Sequence, residues 1–289
     1  MATATPRRWV GVLLWVLAVI LMMATAVYQR RTGPTHPARG IVTLADQDIT
    51  YKLKRSETTG TDARMAVAVP TGPITGKLQY RRYPTDEPYT AIEMEREGDE
   101  LFAVLPTQPP AGKVEFRVQL EAGDQVAMLP VEGPSVLRYK GDVPAAVLIP
   151  HILFMFLGMV WGLRTMLELM AGRHRVRRQA WTALALMVVG GLMMGPAVQY
   201  YAFGEAWTGV PFGWDLTDNK TLLMVVAWGV GCGFVGLKGE IAKRARVAMF
   251  VAGVVMLVVY LIPHSLFGST LNYEAVDQGA DPLESIGQG

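Results

Sequence analysis

The apolar and polar positions of this chain are sorted into blocks. An uncharged apolar run occupies residues 9–28, and a polar block follows. Four more apolar runs, at residues 143–163, 180–203, 221–237 and 247–263, come in quick succession. A helix needs about 20 apolar residues to cross a bilayer core, so these runs predict five spanning helices, the last two short. Over residues 40–140 the period changes to two. Val114, Phe116, Val118 and Leu120 alternate with Glu115, Arg117 and Gln119, while Leu78, Tyr80 and Arg82 fall opposite Lys77, Gln79 and Arg81. Turn-forming clusters at Pro70-Thr71-Gly72-Pro73, Glu97-Gly98-Asp99, Pro109-Pro110-Ala111-Gly112 and Ala122-Gly123-Asp124 separate the alternating stretches. Roughly seven or eight short strands at that spacing predict a small immunoglobulin-like β-sandwich, with a barrel as the alternative.

The expected fold class is therefore an α+β membrane protein: an N-terminal anchor helix, an exported immunoglobulin-like β-sandwich and a C-terminal four-helix transmembrane bundle. The domain boundaries expected are residues 1–31 for the anchor, 32–142 for the sandwich, 143–264 for the bundle and 265–289 for an acidic tail. Arg7 and Arg8 ahead of an apolar stretch that ends in Ala24-Thr25-Ala26 also fit a signal peptide, although the run is long for one. Either way the strand block is exported. Gly190, Gly191, Gly195 and Pro196 predict a kink in the third span. Gly158 and Gly162, with the glycines of the fourth span (Gly229, Gly231, Gly233 and Gly236), predict close helix packing.

Charge then orients the bundle. Residues 164–178 hold five arginines against Glu168, and residues 238–246 hold four cations against Glu240. Both loops are expected in the cytoplasm. The segment before Thr221 carries Glu205, Asp215 and Asp218, and the tail carries Glu274, Asp277, Asp281 and Glu284 without a Lys or Arg. Those belong outside. The expectation is a multi-pass protein of the inner, cytoplasmic membrane with its N-terminus inside and both the strand block and the C-terminal end outside. The formal net charge of +2 gives no field that would steer nucleic acid. The single cysteine, Cys232, lies in an apolar run and excludes an intrachain disulfide.

Candidate chemistry gathers at the outer ends of the helices. His151 is the one ionisable residue well inside an apolar run, where a polar ring needs a partner. His264 closes the fifth run, and Asp215 to Lys220 lead into the fourth. Two imidazoles at similar depth can ligate a b-type haem. Alternatively, they can bind copper or zinc with Asp215 or Asp218 as a further ligand. The plainer reading makes Asp215 or Asp218 a helix cap, and sets Asn219 and Lys220, with Tyr80 and Arg82 of the strand block, as contact residues. Trp207, Phe212 and Trp214 read as interfacial anchors.

In layout, residues 1–140, one anchor helix followed by an exported strand block, resemble the FixH-type accessory proteins of terminal oxidases. That resemblance implies an accessory role. It carries no site residue, and the four-span bundle has no counterpart in it. The functional expectation is a non-enzymatic accessory, assembly or scaffolding subunit whose sandwich contacts other membrane or extracytoplasmic proteins. The alternative is a haem- or metal-binding redox protein using His151 and His264.

Overall fold

The computed structural model describes residues 8–70, 72–173, 176–263 and 268–287. The chain divides into two compact units. One comprises Met1–Gly33, Val143–Tyr201 and Glu205–Gly268; the other comprises Pro34–Asp142, Ala202–Gly204 and Ser269–Gly289. The protein is mixed α+β, with several sheets and four apolar helices long enough to cross a membrane.

The helical unit begins with α1 (Arg8–Thr32) and continues with α2 (Ala145–Met170). A third rod runs from α3 (Arg177–Met187) through a π-helical segment, Val188–Met194, into α4 (Gly195–Phe203). Then come α5 (Leu216–Val235) and α6 (Lys243–Leu261). The helices with sufficient length and apolarity are Trp9–Thr32, Ala145–Met170, Arg177–Phe203 and Lys243–Leu261. Five were expected. The difference is α5, whose first turns hold Asp218, Asn219 and Lys220. The apolar remainder of α5 rises only about 22 Å, against roughly 30 Å of hydrocarbon.

One further expectation changes. The second span was expected to end at Leu163, but α2 continues to Met170 and buries Arg164, Thr165 and Glu168. The arginine-rich loop is correspondingly shorter. At the Gly190 to Pro196 cluster, where a kink was expected, the helix forms a π-helical turn, closed by the Gly195 N–H donating to the Gly190 carbonyl. Glycine is required here because a Cβ on Gly190 would lie 2.9 Å from Phe154 Cβ and 3.0 Å from the Met155 backbone nitrogen. One on Gly191 would lie 2.8 Å from Thr221 Cγ2, so the rod packs closely on α2 and α5.

Gly158 faces Met187, and Gly162 faces Met256 and Trp228. Gly231 meets Met249 and Ala252, whereas among the described residues nothing lies within 4 Å of where a β-carbon would stand on Gly229 or Gly233. Met159, Met187, Met224, Trp228, Met249 and Met256 sit at the centre of the helical core. The Trp228 indole N–H donates to the Ala180 carbonyl at 2.9 Å.

The strand unit holds β1 (Ala38–Leu44), β2 (Gln47–Leu53), β3 (Ser56–Thr58), β4 (Ala63–Ala68), β5 (Thr75–Arg82), β6 (Thr90–Glu93), β7 (Glu95–Glu97), β8 (Glu100–Leu105), β9 (Lys113–Ala122), β10 (Gln125–Leu129) and β11 (Ser135–Lys140). One sheet runs β3-β11-β9-β5-β6, with β10 also on β9; β4-β8-β7 and β1-β2 form the others. The register sets the core. Leu78 pairs with Val118 and Tyr80 with Phe116, and Leu78, Phe116, Val118 and Leu120 are fully buried with Ile49, Leu53, Met65, Leu101 and Leu105 from the other sheets. The Glu97-Gly98-Asp99 and Ala122-Gly123-Asp124 turns place their glycines at φ +58° and +59°, where a β-carbon is strained. Residues 269–287 add β12 (Thr270–Leu271), α7 (Tyr273–Asp277) and β13 (Ile286–Gly287) to this unit.

Candidate functional site

The polar groups of the helical unit gather at its two ends, and helix polarity explains what holds them. The last carbonyls of a helix lack N–H partners and carry the negative end of its dipole. At the end of α6, the buried Lys220 ammonium of α5 donates to the Ile262 and Pro263 carbonyls at 2.8 and 3.3 Å. The Gln29 amide of α1 donates to the Tyr260 and Ile262 carbonyls at 2.9 and 3.3 Å. At the end of α5, Arg177 does the same for the opposite pole. Its guanidinium reaches the Gly236, Gly239 and Val235 carbonyls at 3.0, 2.6 and 3.3 Å, and Trp181 adds a bond to Gly236 at 3.2 Å.

The carboxylates expected as metal ligands are engaged locally. Asp215 is the N-cap of α5, accepting the Thr217 and Asp218 N–H groups at 2.8 and 3.1 Å. Asp218 accepts the Thr208 N–H at 2.7 Å, and Asn219 accepts the Val210 N–H at 2.7 Å, so the two fix the segment between α4 and α5. His151 directs Nδ1 to the Gly190 carbonyl at 2.9 Å. A carbonyl can only accept, so Nδ1 carries the proton. That carbonyl also takes the Gly195 N–H of the π turn, so His151 braces the distortion. His264 lies outside the described residues. Among the described residues no three His, Cys, Asp or Glu side chains gather to hold a metal.

The sequence reading missed a cluster near the end of α2. Arg164 and Glu168 are 3% and 2% exposed, and Arg164 Nη2 lies 2.6 Å from Glu168 Oε1. Arg173 Nε lies 3.0 Å from the other carboxylate oxygen. Arg164 also stacks its guanidinium over Trp15, 5.3 Å from the ring centre. The i,i+4 spacing was the available signal; treating Arg164 as the end of an apolar run concealed it.

In the strand unit, Arg82 is the expected contact residue with the densest set of partners. Nη1 and Nη2 grip Asp277 at 2.8 and 2.7 Å, and Nε donates to Glu87 at 2.9 Å. These hydrogen bonds hold both carboxyls below their usual range. Arg82 also lies 4.9 Å above the Tyr273 ring. The Tyr273 hydroxyl accepts the Lys113 N–H at 3.0 Å and sits 3.0 Å from the Lys113 carbonyl, and burial pushes its pKa up. The Lys113 ammonium meets the Thr270 hydroxyl. Burial, with the nearby Arg138 charge, lowers Lys113 to about 8. Arg82, Glu87, Tyr273, Glu274, Asp277 and Gln278 border a groove of about 680 Å³. Tyr80 instead packs, half-buried, against the core.

No protein-family model matches the chain, and neither does any curated protein or solved structure.

Proposed function

We propose that the protein is a non-enzymatic accessory or scaffolding subunit of a membrane assembly. On this reading its strand unit is an immunoglobulin-like sandwich outside the cytoplasm that meets partner proteins. The observation that carries this is how the chemically capable groups are used. Asp215, Asp218 and Lys220 each bind backbone at helix or loop ends, His151 braces a helix turn, and Arg82 and Tyr273 fasten residues 269–287 to the strands. Groups committed to holding a framework suit a protein that positions others.

The same contacts support a five-span topology. Arg82 with Asp277, and Lys113 with Thr270, join residues on both sides of the bundle into one folded unit. Residues 34–142 and 269–287 then share a compartment, and an even number of crossings separates them. Ala145–Met170, Arg177–Phe203 and Lys243–Leu261 make three, and α5 supplies the fourth. Its length is marginal, but Arg177 and Lys220 tie its two ends to the opposite ends of its neighbours. The cation-rich ends, with Arg173, Arg177 and Lys243, would face the cytoplasm of an inner-membrane protein, with the N-terminus on that side. Phe212 and Trp214, about four-fifths exposed, suit the opposite headgroup layer.

Extraction of the tagged protein in mild detergent tests the proposal. Co-purification of defined partners, lost when the strand unit is deleted, is the expected result. A monodisperse single chain showing a Soret band or stoichiometric metal would sink it. Reporter fusions at residue 100 and after residue 287 test the topology and should report the same non-cytoplasmic compartment.

A further inference from the structure

Ala206 to Trp214 join α4 to α5 without a charged residue, and the tip of the segment reads Val210-Pro211-Phe212-Gly213-Trp214. Phe212 and Trp214 are 82% and 80% exposed, the highest values among the large apolar residues described. The backbone beneath them is paired within the protein. The Phe212 and Gly213 N–H groups both donate to the Gly209 carbonyl, at 2.9 and 3.0 Å, and the Asp215 N–H donates to the Thr208 carbonyl at 3.1 Å. The Thr208 and Val210 N–H groups go to the Asp218 and Asn219 side chains of α5. The Trp207 indole N–H donates to the Val210 carbonyl at 3.2 Å, and Pro211 has no N–H to satisfy. A Cβ on Gly209 would lie 2.6 Å from Asp218 Cβ, so the segment is pressed onto the first turn of α5.

Helix α5 leaves a gap that this segment fits. Its apolar stretch from Thr221 is about 8 Å shorter than the hydrocarbon core, and Leu216 to Lys220 rise by roughly that distance. Asp218 and Lys220 within that rise are buried, so the surface offered to lipid at this level is the loop packed against them. We propose that residues 206–214 are a membrane-inserted wedge that sinks below the headgroup layer. Phe212 and Trp214 lie among the acyl chains and extend the apolar face that α5 continues through Leu223, Val226 and Val230, all exposed. Hydrocarbon accepts non-helical backbone only where its polar groups are satisfied inside the protein, and this backbone is. A protein partner could supply missing hydrogen bonds itself, whereas acyl chains cannot, so the internal pairing favours lipid. The inference rests on the reading that α5 crosses the membrane, and on neither the compartment nor the partners proposed above.

Spin labels on the full-length protein in phosphatidylcholine vesicles test it. Collisions with oxygen, which concentrates in hydrocarbon, are compared with collisions with a nickel chelate confined to water. The native Cys232 is buried, which directs the label to introduced thiols. Phe212→Cys should give an oxygen-to-nickel ratio several-fold above that of Glu205→Cys and approaching that of Leu223→Cys. Should Phe212→Cys fold poorly, Trp214→Cys should give the same result. A ratio nearer to Glu205→Cys, with Leu223→Cys in hydrocarbon, would overturn this inference alone; a bilayer thinned around α5, with the loop left in water, would read that way. Water-like values at both Phe212→Cys and Leu223→Cys would overturn it together with the crossing of α5. A label at residue 212 shielded from both reagents would place a second copy of the chain over the loop and overturn it as well.

Discussion

Two charged clusters of the helical unit, one near each end, solve the same problem differently. Near the end of α2, charge is met by charge: Glu168 stands between Arg164 and Arg173, almost out of reach of solvent. At the end that contains the start of α5, charge is met by backbone. Lys220 takes carbonyls, and Asp215 and Asp218 take N–H groups. An ion pair out of water is costly to form and costlier to break from one side, because the survivor keeps its charge without compensation. A charge on a helix terminus leaves behind only dipoles when it is removed. The Glu168 cluster should therefore be brittle and the α5 cluster tolerant.

The largest expected effect tests the brittle cluster. Glu168→Ala strands two guanidiniums, one of which already has Nε and Nη1 without partners among the described residues. It should lower the stability of the helical unit by about 3–5 kcal/mol, read from unfolding in mixed micelles. A loss no greater than that of the next variant would remove the contrast. Lys220→Met keeps the side-chain length and strips the donor from Ile262 and Pro263; about 1–3 kcal/mol should be lost. Asp215→Ala removes the α5 cap and should cost about 1 kcal/mol, whereas Asp215→Asn, which still accepts, should cost less. Equal losses for the two would show that charge rather than capping matters there.

The smallest effect lies in the strand unit and sharpens the comparison by titration. Lys113 titrates near 8 in the fold and near its ordinary, higher value when unfolded. The folded state therefore binds fewer protons between those values, and stability rises with pH across that window. Below about 8 the full penalty of a buried ammonium is present. Amide exchange in β9 should slow as pH is raised from about 7 to about 8.5, once intrinsic exchange is corrected for. The gain expected is on the order of half a kcal/mol, and it should vanish in Lys113→Met. An unchanged slope in that variant would assign the effect to another group.

The parts legible in the sequence were those whose partners are close along the chain. Val114 to Leu120 declared a buried strand face because alternation is local, and Asp215 declared a cap because its two N–H donors follow within three residues. Apolar runs located the helices, but charge misled at their edges. Arg164 looked like the end of a span because hydropathy ignores a carboxylate one turn later, and Asp218 and Lys220 shortened the apolar part of α5. His151 announced a need for a partner, but Gly190 lies 39 residues away, in a turn whose i→i+5 bond leaves no pattern. The joining of residues 269–287 to the strands was invisible for the same reason: Tyr273 meets Lys113 across 160 residues, and Asp277 meets Arg82 across 195.

That last connection imposes an order on assembly. The hydroxyl that receives the Lys113 backbone and the carboxylate that engages Arg82 are synthesised after every helix of the bundle. Until residues 269–287 have been made, the strand unit lacks the segment that β12, α7 and β13 contribute to it. Before then, Lys113 and Arg82 lack the hydroxyl and the carboxylate that they meet in the finished unit. The strand unit is therefore completed late in synthesis, when the residues that follow the last helix supply Tyr273 and Asp277.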